Sequence, residues 1–120
     1  MTLRNFEIFR GDTLPFTAVI KSNDLPVDIT GAQFRMTGKY RVQDADSAAV
    51  FTLFSPDNIT IVTPLEGTIQ VTIPPSATLS LGPRNYHLFY DLQMRASGGD
   101  VYTICAGRIN VFPDVSITSP

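Results

Sequence analysis

Tyr86-His87-Leu88-Phe89-Tyr90-Asp91-Leu92-Gln93-Met94-Arg95 is the run that decides the fold. Tyr86, Leu88, Tyr90, Leu92 and Met94 alternate with His87, Phe89, Asp91, Gln93 and Arg95. A period of two puts the first set on one face of an extended strand and the second on the other. The segment before it, Leu79-Ser80-Leu81-Gly82-Pro83-Arg84-Asn85, leads into Tyr86 with the spacing of a tyrosine corner. In that motif a Tyr at the start of a strand sends its hydroxyl back to the backbone a few residues upstream. Tyr86 is therefore expected to be largely buried, bonded near Leu79–Gly82. After the run, Ser97-Gly98-Gly99-Asp100 reads as a hairpin loop, and the chain returns as Val101–Phe112. Ile104 and Ala106 fall in one register of that return strand, Ile109 and Val111 in the other. A bulge near Gly107 would reconcile them.

The same period recurs upstream. Asn5–Arg10 places Phe6 and Ile8 on one face, and Gly11-Asp12 makes the turn. Thr13–Lys21 points Leu14, Phe16, Ala18 and Ile20 inward. Pro15 has no N–H, so that strand belongs at a sheet edge. Ser22-Asn23-Asp24 with Pro26 turns the chain. Ala32–Val42 sets Phe34, Met36, Tyr40 and Val42 on one face and Gln33, Arg35, Thr37, Lys39 and Arg41 on the other. A polar loop over Gln43–Ala49 precedes Phe51 and Leu53. The turn Pro56-Asp57-Asn58 and the strand of Ile59 and Ile61 follow. Thr63–Glu66 turns into Gly67–Ile73, with Ile69, Val71 and Ile73 inward. Pro74-Pro75 excludes a central strand and predicts one helical or 3₁₀ turn crossing between sheets.

Seven or eight short strands, each with one apolar face, pack as an all-β, immunoglobulin-like two-sheet antiparallel sandwich. A small barrel is the alternative. The 120 residues make one domain's worth, read as 1–116 with a loose tail over 117–120. With 43% hydrophobic and 17% charged residues, the composition is that of a folded chain. A net charge of −2 gives no basic footprint for nucleic acid, and no apolar run reaches membrane-spanning length. Met1–Arg10 interleaves charges with apolar residues, unlike a signal-peptide core. The one cysteine, Cys105, excludes an internal disulfide.

Four segments, in order, carry a resemblance. They are Phe6-Glu-Ile-Phe-Arg-Gly-Asp-Thr13 with Leu14-Pro-Phe16, and Val27-Asp-Ile-Thr-Gly31 with Phe34. Then come Gly67–Ile73 with Ala77-Thr-Leu79 and Tyr86–Leu92, and finally Thr103-Ile104, Gly107, Ile109–Val111 and Asp114-Val115. Their arrangement resembles the N-terminal domain of phage baseplate upper proteins and small phage and prophage virion proteins. The resemblance implies a sandwich used in virion assembly, often as a symmetric homo-oligomer among other phage structural proteins. It implies a chain made in the host cytoplasm and carried in the virion, in the tail, baseplate, a connector or a capsid decoration.

Chemistry finds little footing. His87 and Cys105 lie on neighbouring late strands but lack a nucleophile turn or a recognisable activating group. No phosphate loop, dinucleotide fingerprint or zinc spacing is present. No catalytic, cofactor or metal residue is therefore assigned. Asp44-Ala-Asp46-Ser47 lacks the glycine and distal glutamate of a calcium loop. Arg10-Gly11-Asp12 reads as a hairpin turn, with Gly11 at the bend and Asp12 capping it. Tyr86, Gly82, Gly11, Asp12 and Gly107 are read as structural. The stripe Arg35, Thr37, Lys39 and Arg41 is the candidate interface. The functional expectation is a non-enzymatic structural protein working by contact, through strand edges or that outer face. The alternative is a carbohydrate- or host-surface-binding module, although the chain has no Trp and most of its Tyr and Phe fall at inward positions; the second reading of Tyr86 is an aromatic binding platform with Tyr90 or Phe89.

Overall fold

The computed structural model describes residues 1–115; the tail over 117–120 and Ser116 lie outside the described residues. Eleven short strands form, in chain order, among the described residues. They are β1 (Thr2–Leu3), β2 (Phe6–Phe9), β3 (Leu14–Val19), β4 (Lys21–Ser22), β5 (Leu25–Pro26) and β6 (Gln33–Lys39). There follow β7 (Phe51–Phe54), β8 (Ile59–Thr63), β9 (Thr68–Ile73), β10 (Tyr86–Arg95) and β11 (Val101–Phe112). One sheet has the order β1-β11-β10-β6-β7, with β2 also on β11; the facing sheet is β3-β9-β8. β4 and β5 make a small separate hairpin whose turn, Asn23-Asp24, has both φ angles positive (53° and 62°). Such a turn matches the twist of tight hairpins.

This is the immunoglobulin-like arrangement: β3 and β6, with only the β4-β5 hairpin between them, lie in different sheets, and the first strand runs parallel to the last. β1 and β2 keep one register on β11, interrupted at Arg4-Asn5. Counted as one strand, they bring the sandwich to eight. β3 is an edge strand, as Pro15 requires.

The core lies between the sheets. Phe16, Phe34, Ile69, Val71, Leu88 and Ile109 all belong to one buried cluster, with Met36, Leu53, Ile59, Ile73, Leu92 and Val111. The alternation in β10 holds: Leu88, Tyr90, Leu92 and Met94 are buried. A 3₁₀ turn at Pro75–Ala77 makes the crossover between β9 and β10.

Two expectations need correction. Tyr40 and Val42 do not join the core; β6 stops at Lys39, and both side chains are exposed. Gly38 explains where the apolar pattern ends. It takes the inward position after Met36, and the Phe51 ring fills the space its side chain would occupy. Tyr40 instead leans on Tyr86, with ring centroids 5.9 Å apart. The phase change in β11 comes at Ile104, where the register against β10 jumps from Leu92–Cys105 to Gln93–Thr103. From Cys105 through Ile109 and Val111 the inward positions keep one phase. Gly107 is therefore not a bulge residue but a close-approach site. A Cβ there would lie 2.1 Å from the Arg4 carbonyl oxygen.

Candidate functional site

The residues read as structural sort themselves around two anchors. At the first, Gly11 has φ +82°, a conformation that favours glycine, and its N–H donates to Thr78 Oγ1 at 2.8 Å. Arg10 beside it donates from Nε to the Leu81 carbonyl (2.7 Å) and from Nη2 to the Leu79 carbonyl (2.8 Å). Its Nη1 lies 3.2 Å from the Asp114 carboxylate. Arg10 thus ties the first turn to the inter-sheet crossover and to the segment after β11, a role not read from its sequence context. Asp12 contributes by its backbone N–H, which donates to the Phe9 carbonyl; its side chain is exposed and does not cap the turn.

The tyrosine corner is present with one correction. Tyr86 Oη accepts the Gly82 N–H at 3.0 Å, but the side chain is half-buried rather than enclosed. Arg84 lies against its ring, and that guanidinium with the Gly82 N–H pulls the phenol below its usual range. The second anchor is Tyr90, which is buried. Its hydroxyl donates to the Arg4 carbonyl at 2.6 Å and lies 3.1 Å from Cys105 Sγ. Burial, then the neighbouring Cys105, pushes this phenol well above the ordinary value. Tyr90 is therefore no binding platform. His87 and Cys105 do not meet: Cys105 is buried in the core, whereas His87 is exposed with Nδ1 2.7 Å from Asn110 Oδ1.

The candidate interface lies on the outer face of the larger sheet, where register fixes the neighbours. Arg35 is flanked by Phe54 of β7 and Gln93 of β10; Thr37 by Thr52 and Asp91; Lys39 by Phe89. Arg35 Nη2 donates to Gln93 Oε1 at 2.9 Å. Lys39 Nζ lies 2.8 Å from Asp46 Oδ1 and donates to the Asp44 carbonyl at 2.7 Å. The loop after β6 thus folds back and neutralises the basic stripe. Lys39, by hydrogen bond and charge, holds the Asp46 carboxyl below its usual range. Asp91 is half-buried between the two cations; burial pushes its carboxyl up, against the pull of Arg35 and Lys39. Thr37 is itself buried, and Arg41 leaves the stripe because β6 has ended. Its N–H donates to Asp44 instead. A positive face for an acidic partner is thus replaced by a charge-paired one.

An open groove of about 690 Å³ lies over the outward face of β10. Phe89, Asp91, Gln93, Thr37 and Thr103 line it centrally; Leu3, Asn5 and Arg108 lie to one side and Lys39, Val42 and Asp46 to the other. The Arg108 guanidinium lies 5.5 Å from the Phe89 ring centroid. Period-two reading put Phe89, Asp91 and Gln93 on this face, but the part played by Asp46 depends on a loop path no local pattern specifies.

The smaller sheet presents a contrasting face. Its outward positions are Pro15, Thr17 and Val19 on β3, Thr68, Gln70 and Thr72 on β9, and Thr60 and Val62 on β8. None is charged. Among the described residues, no group of three or more His, Cys, Asp or Glu is placed to hold a metal, and no helix is long and apolar enough to cross a membrane.

No family model and no curated protein matches this chain. Among solved structures it is similar to extracellular domains 3–5 of Drosophila OTK, at 13% identity and a TM-score of 0.39. The match covers 93% of this chain and 33% of that one, so the chain spans about a third of that structure's length.

Proposed function

We propose that this chain is a non-enzymatic structural component of a phage particle, carried in the virion, that works by contact with a second copy of itself. The resemblance of the four ordered segments supports the virion setting. The observation that carries the contact surface is the uncharged outer face of β3, β9 and β8. Interface centres are depleted of charge, and charged side chains gather at the rim. Here Arg4 sits at the free edge of β3, its Nη1 donating to the Thr17 carbonyl at 3.0 Å, and Lys21 opens β4 just past the end of β3. A neutral face laid on its own copy opposes no like charges. Three strands of five or six residues make a small face beside the roughly 800 Å² per partner of a standard interface. Each contact is then weak alone and gains strength in a symmetric ring or array.

The test is light-scattering mass against concentration, with immunodetection of the chain in purified particles. Association that weakens in Thr17→Glu and Gln70→Glu supports the reading. A strict monomer at high concentration, missing from particles, overturns it.

A further inference from the structure

The groove on the larger sheet is free of the contact just described, so its role stands or falls separately. At about 690 Å³ it has the size of a small-ligand site. Three features restrict what fits. The first is charge. Three cations line it, but Lys39 and Arg35 both face Asp46, at 2.8 and 3.9 Å, which leaves Arg108 as the one lining cation without an acidic partner among the described residues. The second is unspent hydrogen-bonding capacity. The side-chain donor nearest the Asp91 carboxylate is Gln93 Nε2 at 3.5 Å, too long for a sound bond. Burial has already raised that carboxyl, so its ionised form would gain from donors. Asn5 spends its Oδ1 on the Arg108 N–H and keeps its amide N–H groups. The third is apolar surface: Phe89, Leu3 and Val42 lie among these polar groups.

A polyanion would find one free counter-charge, Arg108, and two carboxylates, Asp46 and Asp91, that repel it. A purely apolar ligand would strip water from Asp91 and Gln93 with nothing in return. A neutral sugar chain has hydroxyls that both donate and accept, and ring faces of C–H groups. We propose that this groove binds a short neutral oligosaccharide, with Asp91 and Gln93 bonding its hydroxyls and Phe89 and Leu3 meeting its C–H faces.

The test is a glycan array of neutral and sialylated oligosaccharides, followed by amide-shift titration of the isotope-labelled protein with maltotriose, triacetylchitotriose and any neutral array hit. Neutral ligands are expected to give saturable shifts centred on Phe89, Asp91 and Gln93. Asp91→Ala and Gln93→Ala should each weaken binding roughly tenfold or more, as loss of a hydrogen bond to or beside a charged group does. Glu66→Ala, in the turn between β8 and β9 and outside the groove's lining, should leave it unchanged. Thermal midpoints of the variants verify folding. The proposal is overturned if no neutral glycan gives a saturable shift, if sialylated ligands are preferred, or if folded Asp91→Ala and Gln93→Ala both keep full affinity.

Discussion

Gly107→Ala is the sharpest probe of how the first strand is held. An added Cβ would lie 2.1 Å from the Arg4 carbonyl oxygen and 2.8 Å from Asn5 Oδ1. Both atoms are fixed by bonds of their own, so neither yields by a simple rotation. Relief requires Arg4-Asn5 to lift off β11. Three hydrogen bonds then go: Tyr90 Oη to the Arg4 carbonyl (2.6 Å), Arg4 N–H to the Ala106 carbonyl (3.0 Å) and Arg108 N–H to Asn5 Oδ1 (3.0 Å). The last two groups are exposed to water and recover part of their loss, whereas the Tyr90 hydroxyl is left beside Cys105. At about 1 kcal/mol for each recoverable bond and 1–2 for the buried hydroxyl, the cost is about 3–4 kcal/mol. Urea denaturation reads it directly. Tyr90→Phe supplies the control, because it removes one of the same three bonds. The double variant should therefore cost about 1 kcal/mol less than the sum of the singles. A Gly107→Ala change within about 0.5 kcal/mol of the parent, the range of an ordinary surface substitution, would refute the close-approach reasoning. Strict additivity with Tyr90→Phe would refute the shared bond.

Phe34 is 3% exposed at the centre of β6, so Phe34→Ala should cost about 3–5 kcal/mol in the same assay. Arg10→Lys keeps the charge but not the fork that reaches the Leu79 and Leu81 carbonyls and Asp114. A loss of roughly 1–3 kcal/mol is expected, and an unchanged urea midpoint would remove Arg10 from the anchor. Asp91 has its carboxyl raised in the folded state, so between its unfolded and folded values the native protein binds more protons than the unfolded chain. Stability from this group is then full below the ordinary carboxylate value and is lost as pH rises through the folded one. Asp91→Asn should lack that fall, seen by comparing urea midpoints across the carboxylate range. Ultraviolet titration should find Tyr86 ionising below the ordinary phenol range and Tyr90 above it, with Tyr86→Phe and Tyr90→Phe identifying which is which.

Strand positions were legible where side chains alternate without interruption. Tyr86–Arg95 and Thr68–Ile73 match their expected runs to within a residue, because a half-buried strand imposes period two on its own sequence. The reading failed where the third dimension interrupts the period. Gly38 accommodates the Phe51 ring from β7, thirteen residues away, so nothing local marks the end of the apolar run in β6. The shift at Ile104 arises from pairing with β10, and the glycine three residues later is a false cue to it. Gly107 is required for another reason: it makes room for Arg4, more than a hundred residues earlier. The basic stripe of β6 was visible in the sequence. Its neutralisation by Asp46 was not, since the acid comes from a loop whose path only the fold determines.

The edges and faces together constrain how such a domain assembles. Each edge carries a feature that opposes strand pairing with a neighbour. β3 has Pro15 and the Arg4 guanidinium on its Thr17 carbonyl. β8 has a register shift at Val62, β7 is four residues long, and the first strand breaks at Arg4-Asn5. Sheet extension is thereby disfavoured, which leaves the faces. Burying the larger sheet's face would take Asp46, with its side chain 70% exposed, and its partners Arg35 and Lys39 out of water. The desolvation of such pairs offsets their attraction. Burying the face of β3, β9 and β8 desolvates no charge at all. A neighbour is therefore accommodated at lower cost on the smaller sheet. In any array built that way the groove of Asp91 and Gln93 points outward, repeated once per copy, where weak individual binding to a surface ligand would be multiplied by the number of copies engaged.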